Sequence, residues 1–210
     1  EVAQGKRGFS QFTRGTMVSS APKGGAMVGF AKTGKIAALA PPKEDQDIIK
    51  ERRMEYYRYM SDISGPAVAV IEDIDYPDCI GAYWGEINTK VHKAFGLSGA
   101  LTNGVVRDLG DLAEDFPVVA GSIGPSHGFV HVREIDTKVS FFGISISPND
   151  LIHADLHGAV IIPKAVIDSL KDAIHKLFAS EKLILDPARR KDFNFDDFKR
   201  AWEDFEKSRT

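Results

Sequence analysis

Glu86, Arg107 and Asp108 are the residues whose types and spacing are best suited to chemistry. Asp108 offers a hard carboxylate oxygen to Mg²⁺ or Mn²⁺, and Mg²⁺ usually keeps several waters, one of which Glu86 could hold. Arg107 presents a planar guanidinium that pairs with a carboxylate or an enolate. The backbone N–H groups of Ile87 and Asn88 are donors of the kind that bind an anion at a helix start. Together these groups indicate a site for a small oxyanion such as a 2-oxo acid.

Hydrophobic patterning predicts the elements that would bring these residues together. We expect a helix over residues 86–95, ended by Gly96 and Gly99, and a short apolar strand over 100–106. If the preceding strand, predicted over 67–71, is parallel to this one, the connection is a right-handed crossover. In that arrangement the helix starts at the carboxyl edge of the sheet, and the second strand ends at the same edge. This is the edge where open α/β sheets bind ligands.

The same residues also allow a purely structural interpretation. Arg107 and Asp108 can form an ion pair within a loop, and Glu86 can simply improve the helix N-terminus through its negative charge. Spacing alone does not separate this interpretation from a functional site.

The segments AYWGEINTKVHKAFG (82–96), TNGVVRDL (102–109) and DLIHADLHGAVIIP (150–163) resemble the RraA-like family, and the likeness covers roughly residues 27–175. This family includes the regulator of ribonuclease E activity A and the class II pyruvate aldolases, whose pattern is an acidic residue, twenty residues, then Arg-Asp. Arg107 and Asp108 match the pattern, and Glu86 stands where the better-known aldolases usually have Asp. The resemblance implies an α/β fold of three-layer β/β/α swivelling-domain architecture, with mixed parallel and antiparallel sheets, in trimers or hexamers with active sites at subunit interfaces.

The function implied by this resemblance is a divalent-metal-dependent carbon–carbon lyase. Its substrate would be a small 2-oxo acid, cleaved by retro-aldol reaction of a 4-hydroxy-2-oxo acid or by decarboxylation of oxaloacetate. Asp108 would bind Mg²⁺ or Mn²⁺, with Glu86 acting through water, and Arg107 would stabilise the enolate. A water oriented by Glu86 is the first choice as proton carrier and His127 the second. The alternative is a non-catalytic regulator that binds a ribonuclease.

Composition excludes several other classes of function. The chain has 210 residues, 43% of them hydrophobic and 27% charged, as in one soluble domain of ordinary size. A net charge of −3 gives no reason to expect a nucleic-acid or membrane partner. The single cysteine, Cys79, excludes an internal disulfide and has no evident neighbouring base. Without a long apolar run or a signal-peptide pattern at the start, we expect a cytoplasmic protein.

Other clusters are open to two interpretations. The acidic loop EDIDYPD (72–78) could gather a cation, but a solvated loop is the more ordinary outcome at a strand end. His153 and His157 have a spacing that serves zinc on a helix, whereas here they flank a predicted turn between strands. Some family members are labelled demethylmenaquinone methyltransferase-like, yet the chain lacks the glycine-rich strand-to-helix loop of a Rossmann-type adenosyl site.

The organisation along the chain is predicted as three segments: an irregular arm over 1–25, an RraA-like α/β domain over 26–185 and a helical extension over 186–210. Within the domain we expect a helix over 45–61, a strand over 138–146 and a helix from Pro163 to about Ala179. The extension should begin a helix at Asn194, a plausible N-cap. Four aromatic residues at helical spacing would give this helix a docking stripe: Phe195, Phe198, Trp202 and Phe205.

Overall fold

The computed structural model describes residues 1–5, 8–20 and 25–209. The chain forms two compact units, Gln11–Ile162 and Glu1–Ser10 with Pro163–Thr210. The domain boundaries after residues 25 and 185 stay a prediction from the sequence. The two compact units have their own boundaries, which fall after residues 10 and 162. Part of the predicted N-terminal arm, at residues 6, 7 and 21–24, lies outside the described residues.

The larger unit is built from thirteen strands within its described residues. In chain order they are β1 (Val18–Ser19), β2 (Met27–Ala37), β3 (Ala67–Asp73), β4 (Ala82–Trp84), β5 (Leu97–Thr102), β6 (Val105–Val106), β7 (Val118–Ala120), β8 (Ser122–Ile123), β9 (His131–Ile135), β10 (Val139–Phe141), β11 (Ile144–Ile146), β12 (Leu151–Asp155) and β13 (Gly158–Ile162). The main sheet has the order β1-β7-β5-β3-β2-β12-β13, and β9 also pairs with β2. Strands β7, β5, β3 and β2 are mutually parallel and the other pairings antiparallel. A small parallel sheet, β4-β6-β8, and the β10-β11 hairpin complete the unit.

The central strand β3 is buried on both faces, which explains its continuous apolar sequence. Ile71 packs in one core with Tyr56, while Val70 packs in a second core with Ile146. The helix α1 (Gln46–Ser61) therefore covers one face of the main sheet, and the β10-β11 hairpin covers the other. The predicted α/β class with mixed parallel and antiparallel sheets is confirmed.

Two helices of the larger unit follow the predicted pattern. The helix α1 is capped by Asp45, whose side chain accepts the Asp47 N–H at 3.1 Å. The helix α2 (Glu86–Ala94) begins directly after Gly85 and ends near Gly96, as the glycines of the sequence indicated. The strands β3 and β5 are parallel and α2 lies between them in sequence, so the predicted parallel pairing is confirmed.

The strand expected over 100–106 is instead two strands in different sheets. Its first half lies in β5 and its second half in β6, with Asn103 and Gly104 between them. The Asn103 side chain stabilises this change from one sheet to the other. Its Oδ1 accepts the Asp73 N–H at 2.7 Å, and its Nδ2 donates to the Asp73 carbonyl at 2.9 Å. A side chain at position 104 would meet the Asp73 Cβ at 3.1 Å, so glycine lets the two segments approach.

The strand expected over 138–146 is a hairpin rather than one strand. Phe142 and Gly143 both have positive φ angles, of 48° and 82°, and they reverse the chain between β10 and β11. The apolar sequence does not indicate this turn, because both strands contribute side chains to the same core.

The second unit contains the helices α3 (Ile167–Ala188) and α4 (Phe195–Arg209). The helix predicted to end near Ala179 continues to Ala188, so its expected length was too short. Asn194 caps α4 as predicted, because its Oδ1 accepts the N–H groups of Asp196 and Asp197 at 3.0 and 3.1 Å. No helix among the described residues combines the length and apolar character needed to cross a bilayer.

Candidate active site

The small parallel sheet places Arg107 at its carboxyl end. Arg107 follows β6, and its N–H donates to the Trp84 carbonyl at the end of β4 at 2.9 Å. On the other side of β6, the Gly124 N–H donates to the Val106 carbonyl at 3.1 Å. The next residues of β4 and β6, which are Gly85 and Arg107, therefore lie side by side where α2 begins.

Asp108 turns its carboxylate back onto the start of α2. Its backbone has a φ angle of 56°, in the left-handed region that aspartate adopts more readily than most residues. Its Oδ2 accepts the Glu86 N–H at 3.1 Å, and Arg107 Nη1 lies 3.1 Å from both carboxylate oxygens. The carboxylate thus interacts with the partial positive charge of the helix N-terminus and with a guanidinium. The structure brings all three predicted residues together.

Gly85 makes this close approach possible. A Cβ atom at position 85 would lie 2.6 Å from Asp108 Oδ2 and 3.1 Å from Arg107 Cγ. Its φ angle of −156° is extended, so the requirement for glycine comes from space and not from backbone strain. The glycine before Glu86 is therefore part of the site.

Arg107 retains hydrogen-bonding capacity beyond its contact with Asp108. Its side chain is 33% exposed, while its Nε atom is buried and has no hydrogen-bond partner among the described residues. A buried donor without a partner is costly, and an incoming acceptor would relieve that cost. The guanidinium is therefore suited to receive an oxyanion.

The first turn of α2 consists of Glu86, Ile87 and Asn88, which make different contacts. The Glu86 carboxylate forms an ion pair with Lys90, one turn along the helix, and about half of its side chain is exposed. The N–H groups of Ile87 and Asn88 donate to no other described residue, as expected for a first turn. These two donors remain available to an anion. The Ile87 side chain is 70% exposed.

The Asn88 side chain faces inward, into a polar network that sequence analysis did not find. Asn88 Nδ2 donates to the Tyr83 carbonyl at 2.6 Å, and Asn88 Oδ1 accepts the Tyr57 hydroxyl at 2.7 Å. His92 Nδ1 donates to the Asn88 carbonyl at 2.6 Å, which leaves Nε2 to accept the Tyr56 hydroxyl at 2.8 Å. The network joins α2 to α1 beneath the candidate site.

Burial controls the protonation of this network. His92 is fully buried, and its desolvation lowers the pKa to about 4 even though the Asn88 carbonyl favours the charged form. Burial also raises the pKa of Tyr83 well above its ordinary value. The network is therefore neutral at physiological pH. No local pattern in the sequence indicates this network, because its members come from two different helices and the segment before α2.

His127 lies in the loop that follows β8, away from Arg107 and Asp108 in the hydrogen-bond pattern. Its exposed ring bonds to the Gly128 carbonyl through Nδ1 at 2.8 Å. The carbonyl of Ser126, the residue before His127, accepts the Ala82 N–H at 2.8 Å. Ala82 is the first residue of β4, whereas Arg107 bonds to Trp84, the last one. No hydrogen bond or ion pair in the described part of the chain joins His127 to Arg107 or Asp108.

The contacts of the acidic loop and of Cys79 are structural. Asp75 Oδ2 accepts the N–H groups of Ala38 and Leu39 at 2.6 and 2.8 Å. Asp73 is buried, and this burial raises the pKa of its carboxyl. Burial, together with the nearby Asp73 carboxylate, raises the pKa of Cys79 to about 12, so the thiol is not an activated nucleophile.

His153 and His157 lie in the β12-β13 hairpin and differ in surroundings. His153 is paired with Val160 within the ladder, whereas His157 Nδ1 lies 3.3 Å from Asp155 Oδ1 at the turn. In the described residues, no group of three or more histidine, cysteine, aspartate and glutamate side chains is arranged to hold a metal.

A family model described as "RraA-like: Aldolase/RraA" matches residues 7–161, well over half of the chain. The chain belongs to the RraA-like family. The resemblance carried by residues 81–112 is therefore confirmed, and the match covers the whole of the small sheet and α2.

Curated relatives of this RraA-like chain match it over part of their length. A putative 4-hydroxy-4-methyl-2-oxoglutarate aldolase of Halalkalibacterium halodurans is 27% identical over 107 residues, which are 50% of this chain and 51% of that protein. An uncharacterized protein of Methanocaldococcus jannaschii is 30% identical over 105 residues, 49% of this chain and 50% of that protein. The chain thus spans about half the length of these curated relatives.

Solved structures share the RraA-like fold. An uncharacterized protein of Pseudomonas syringae pv. tomato has a TM-score of 0.68 at 20% identity, covering 91% of this chain and 82% of that one. RraAS2 of Streptomyces coelicolor, described as an unusual member of the RNase ES inhibitor RraA protein family, has a TM-score of 0.61 at 18% identity, covering 86% and 84%. Identities this low establish the fold alone.

The donor set of this RraA-like site fits a divalent cation held mainly by water. Asp108 supplies one carboxylate whose Oδ1 has a single described contact, so that oxygen keeps a lone pair. Mg²⁺ usually binds through one or two carboxylates and retains several waters. Glu86 begins α2 beside Asp108, and its half-exposed carboxylate, which pairs with Lys90 through one oxygen, would offer its other oxygen to such a water.

Proposed function

We propose that this RraA-like protein is a divalent-metal-dependent carbon–carbon lyase acting on a small 2-oxo acid. The observation that carries the proposal is the cluster of Arg107, Asp108 and the first turn of α2, with Asp108 Oδ2 3.1 Å from the Glu86 N–H. Guanidinium, carboxylate and unpaired N–H donors in one place suit a substrate with adjacent carboxylate and keto oxygens. The sequence similarity to the putative aldolase of H. halodurans also supports an aldolase-type reaction.

The metal in this proposal is Mg²⁺ or Mn²⁺. Asp108 would hold it directly, and Glu86 would hold it through water. When bound, the cation supplies Lewis-acid stabilisation of negative charge that develops on the substrate oxygens.

The protein's own residues carry the remaining roles in retro-aldol cleavage. Arg107 binds the substrate carboxylate and stabilises the enolate oxygen, and the N–H groups of Ile87 and Asn88 orient the same end of the substrate. A water held by Glu86 takes the proton of the 4-hydroxyl group and passes a proton on to the Glu86 carboxylate. The C3–C4 bond then breaks, C4 becomes a carbonyl carbon, and the bonding electrons form the enolate of pyruvate. Proton return to C3 completes the reaction.

Decarboxylation of oxaloacetate uses the same groups. The bond between C3 and the distal carboxylate breaks, CO₂ leaves, and the electron pair again forms the pyruvate enolate beside Arg107. His127 is the second candidate for the proton carrier. Its backbone is tied to the far end of β4, so Glu86 is favoured.

An assay of the purified protein tests this function. We expect pyruvate to form from 4-hydroxy-4-methyl-2-oxoglutarate or from oxaloacetate in the presence of Mg²⁺, with the rate returning to the uncatalysed value after chelation by EDTA. Free Mg²⁺ also promotes oxaloacetate decarboxylation, so a matched reaction without protein is the control. Absence of turnover with both substrates, with either metal, would overturn the proposal.

The second candidate is a protein-binding regulator of a ribonuclease. It is favoured by the fold shared with the S. coelicolor RraA-family inhibitor. A ribonuclease E cleavage assay with added protein is the test, and dose-dependent inhibition that persists in an Arg107→Ala variant would support regulation without catalysis.

A further inference from the structure

A cleft separate from the Arg107 site lies at the carboxyl ends of β2 and β3. It has a volume of about 510 Å³ and includes Ala37 at the end of β2 and Ile74 just after β3. Crevices outside the carboxyl ends of parallel strands are common ligand sites, and this volume is in the usual range for small molecules. The cleft lies entirely within the larger unit.

A guanidinium with spare donors faces this cleft. Arg133 Nη1 lies 2.9 and 3.1 Å from the two oxygens of Glu44, while its Nε and Nη2 atoms make no hydrogen bond to the described residues. Arg52 Nη1 donates to the same Glu44 at 3.2 Å and to the Val132 carbonyl. Hydrogen bonds from its own backbone N–H and from Arg52 lower the pKa of Glu44 to about 2, so this residue stays ionised. One carboxylate is therefore shared by two guanidinium groups.

His131 contributes an oriented acceptor to the same cleft. Its ring is only 6% exposed, and Nδ1 bonds to the Phe129 carbonyl at 2.8 Å. A carbonyl oxygen can only accept, so Nδ1 carries the proton and Nε2 presents its lone pair in the neutral ring. Nε2 accepts from Arg133 Nη1 at 3.5 Å. The imidazole therefore helps to orient the guanidinium at the edge of the cleft.

The charged side chains that line the cleft are balanced in number but not fully paired. Two of them are cations, Lys43 and Arg133, and two are carboxylates, Glu44 and Asp75, while Arg52 contacts Glu44 from outside the lining. One oxygen of Asp75 already accepts two backbone N–H groups, and Lys43 is exposed with no described partner. The rest of the lining includes alanine, proline and isoleucine side chains.

We propose that this cleft binds a small organic oxyanion, a carboxylate or phosphate attached to a compact apolar body. Arg133 and Lys43 bind the oxyanion, the alanine and proline wall contacts the apolar body, and His131 holds the Arg133 guanidinium in place through Nε2. This site is independent of the proposed lyase chemistry, because it uses neither Arg107 nor Asp108.

Equilibrium dialysis with radiolabelled benzoate and, separately, inorganic phosphate measures the binding. Benzoate lacks a keto group, so it tests for a carboxylate ligand without offering a substrate, and the two arms distinguish carboxylate from phosphate. Arg133→Gln should weaken binding about tenfold, the usual scale for a charge-assisted contact. Glu44→Gln should strengthen it, because it releases the Arg133 donors that Glu44 occupies.

Two control variants separate a local site from general charge effects. Arg53→Gln changes the net charge by the same amount as Arg133→Gln but lies exposed on α1, so it should leave the affinity unchanged. The effect of Arg133→Gln should persist in an Arg107→Ala background, which removes oxyanion binding at the other site. Lys43→Gln, at an exposed position, provides a second test if Arg133→Gln folds poorly, and it should weaken binding severalfold.

The proposal is overturned by any of three results. The first is no saturable binding of either probe up to about 10 mM, the weak end of specific affinity. The second is an equal effect of Arg133→Gln and Arg53→Gln. The third is loss of binding in Arg107→Ala alone, which would assign the anion to the other site.

Discussion

The Asp108 carboxylate accepts the backbone N–H of Glu86 at 3.1 Å and so caps α2 from a different strand. Gly85, at the N-cap position, has no side chain to do this. The same carboxylate contacts Arg107, which links the helix start, the guanidinium and the end of β6 in one cluster. Substitutions at these positions should therefore affect binding and catalysis more than they affect folding.

Asp108→Asn should abolish metal-dependent activity while the fold is retained. Asparagine tolerates the positive φ angle and can still accept the Glu86 N–H, but it lacks the charge that would hold the cation. Calorimetric titration with Mn²⁺ measures the loss. Asp115→Asn is a matched control, because Asp115 is exposed with a φ angle of 53°. Unchanged Mn²⁺ affinity in Asp108→Asn would remove this residue from the metal site.

Glu86→Gln should have a milder effect than Asp108→Asn, because Glu86 acts through water in the proposed site. The same Mn²⁺ titration compares the two variants directly. A loss equal to that of Asp108→Asn would instead make Glu86 a direct ligand.

Arg107→Ala should lower kcat as well as raise KM, because the guanidinium pairs with charge that develops during bond breaking. Loss of one preorganised donor typically costs about 10²- to 10³-fold in rate, or roughly 3–4 kcal/mol. Arg107→Lys should recover little, since an ammonium cannot reproduce the planar fork. Steady-state kinetics with inhibition by oxalate, an enolate mimic, provides the measurement. An unchanged kcat in Arg107→Ala would contradict the mechanism.

Gly85→Ala should displace the Asp108 carboxylate from α2. The added Cβ would lie 2.6 Å from Asp108 Oδ2, and the end of that side chain can move away. We expect a loss of about 1 kcal/mol in the free energy of unfolding, the usual cost of losing a helix cap, together with a large fall in Mn²⁺ affinity. Gly110→Ala is the control, because a Cβ there would meet nothing within 4 Å. Equal Mn²⁺ affinities in the two variants would show that the close approach is unimportant.

Stability should decrease between pH 6.5 and pH 4 because of His92. Burial lowers its folded pKa to about 4 from 6.5, so the unfolded chain binds the proton first as pH falls. The stabilisation is present above the unfolded pKa and is lost through this window, amounting to about 3 kcal/mol at 1.36 kcal/mol per pH unit. Urea denaturation at several pH values, compared with His92→Gln, measures the slope. The same slope in both proteins would exclude His92 as its source.

The assembly should be a trimer or a hexamer, as the family resemblance implies. In α4 the predicted aromatic stripe is present, with Phe195 74% exposed and Trp202 42% exposed. Sedimentation equilibrium at micromolar concentration gives the mass directly. A monomer would contradict this prediction and would leave a site at a subunit interface without support.

The sequence by itself determined the family, the helices α1 and α2 and the central strand β3. Polar and apolar periodicity located α1 and α2, because helices show their buried face in short-range spacing. Continuous apolar sequence identified β3 as a strand covered on both faces. The spacing of Glu86 and the Arg-Asp pair indicated which residues meet, but they meet at the ends of the parallel strands β4 and β6 in the small sheet, not at the edge of the main sheet.

Only the tertiary structure decided how those residues meet. The switch between sheets at Asn103 and Gly104 depends on hydrogen bonds to Asp73, thirty positions earlier, and no local pattern records them. The inward direction of Asn88 likewise depends on Tyr57 in a different helix. The contact between Asp108 and the start of α2 requires a left-handed backbone and an absent side chain at Gly85. These are properties of packing between distant segments, which periodicity within one segment cannot contain.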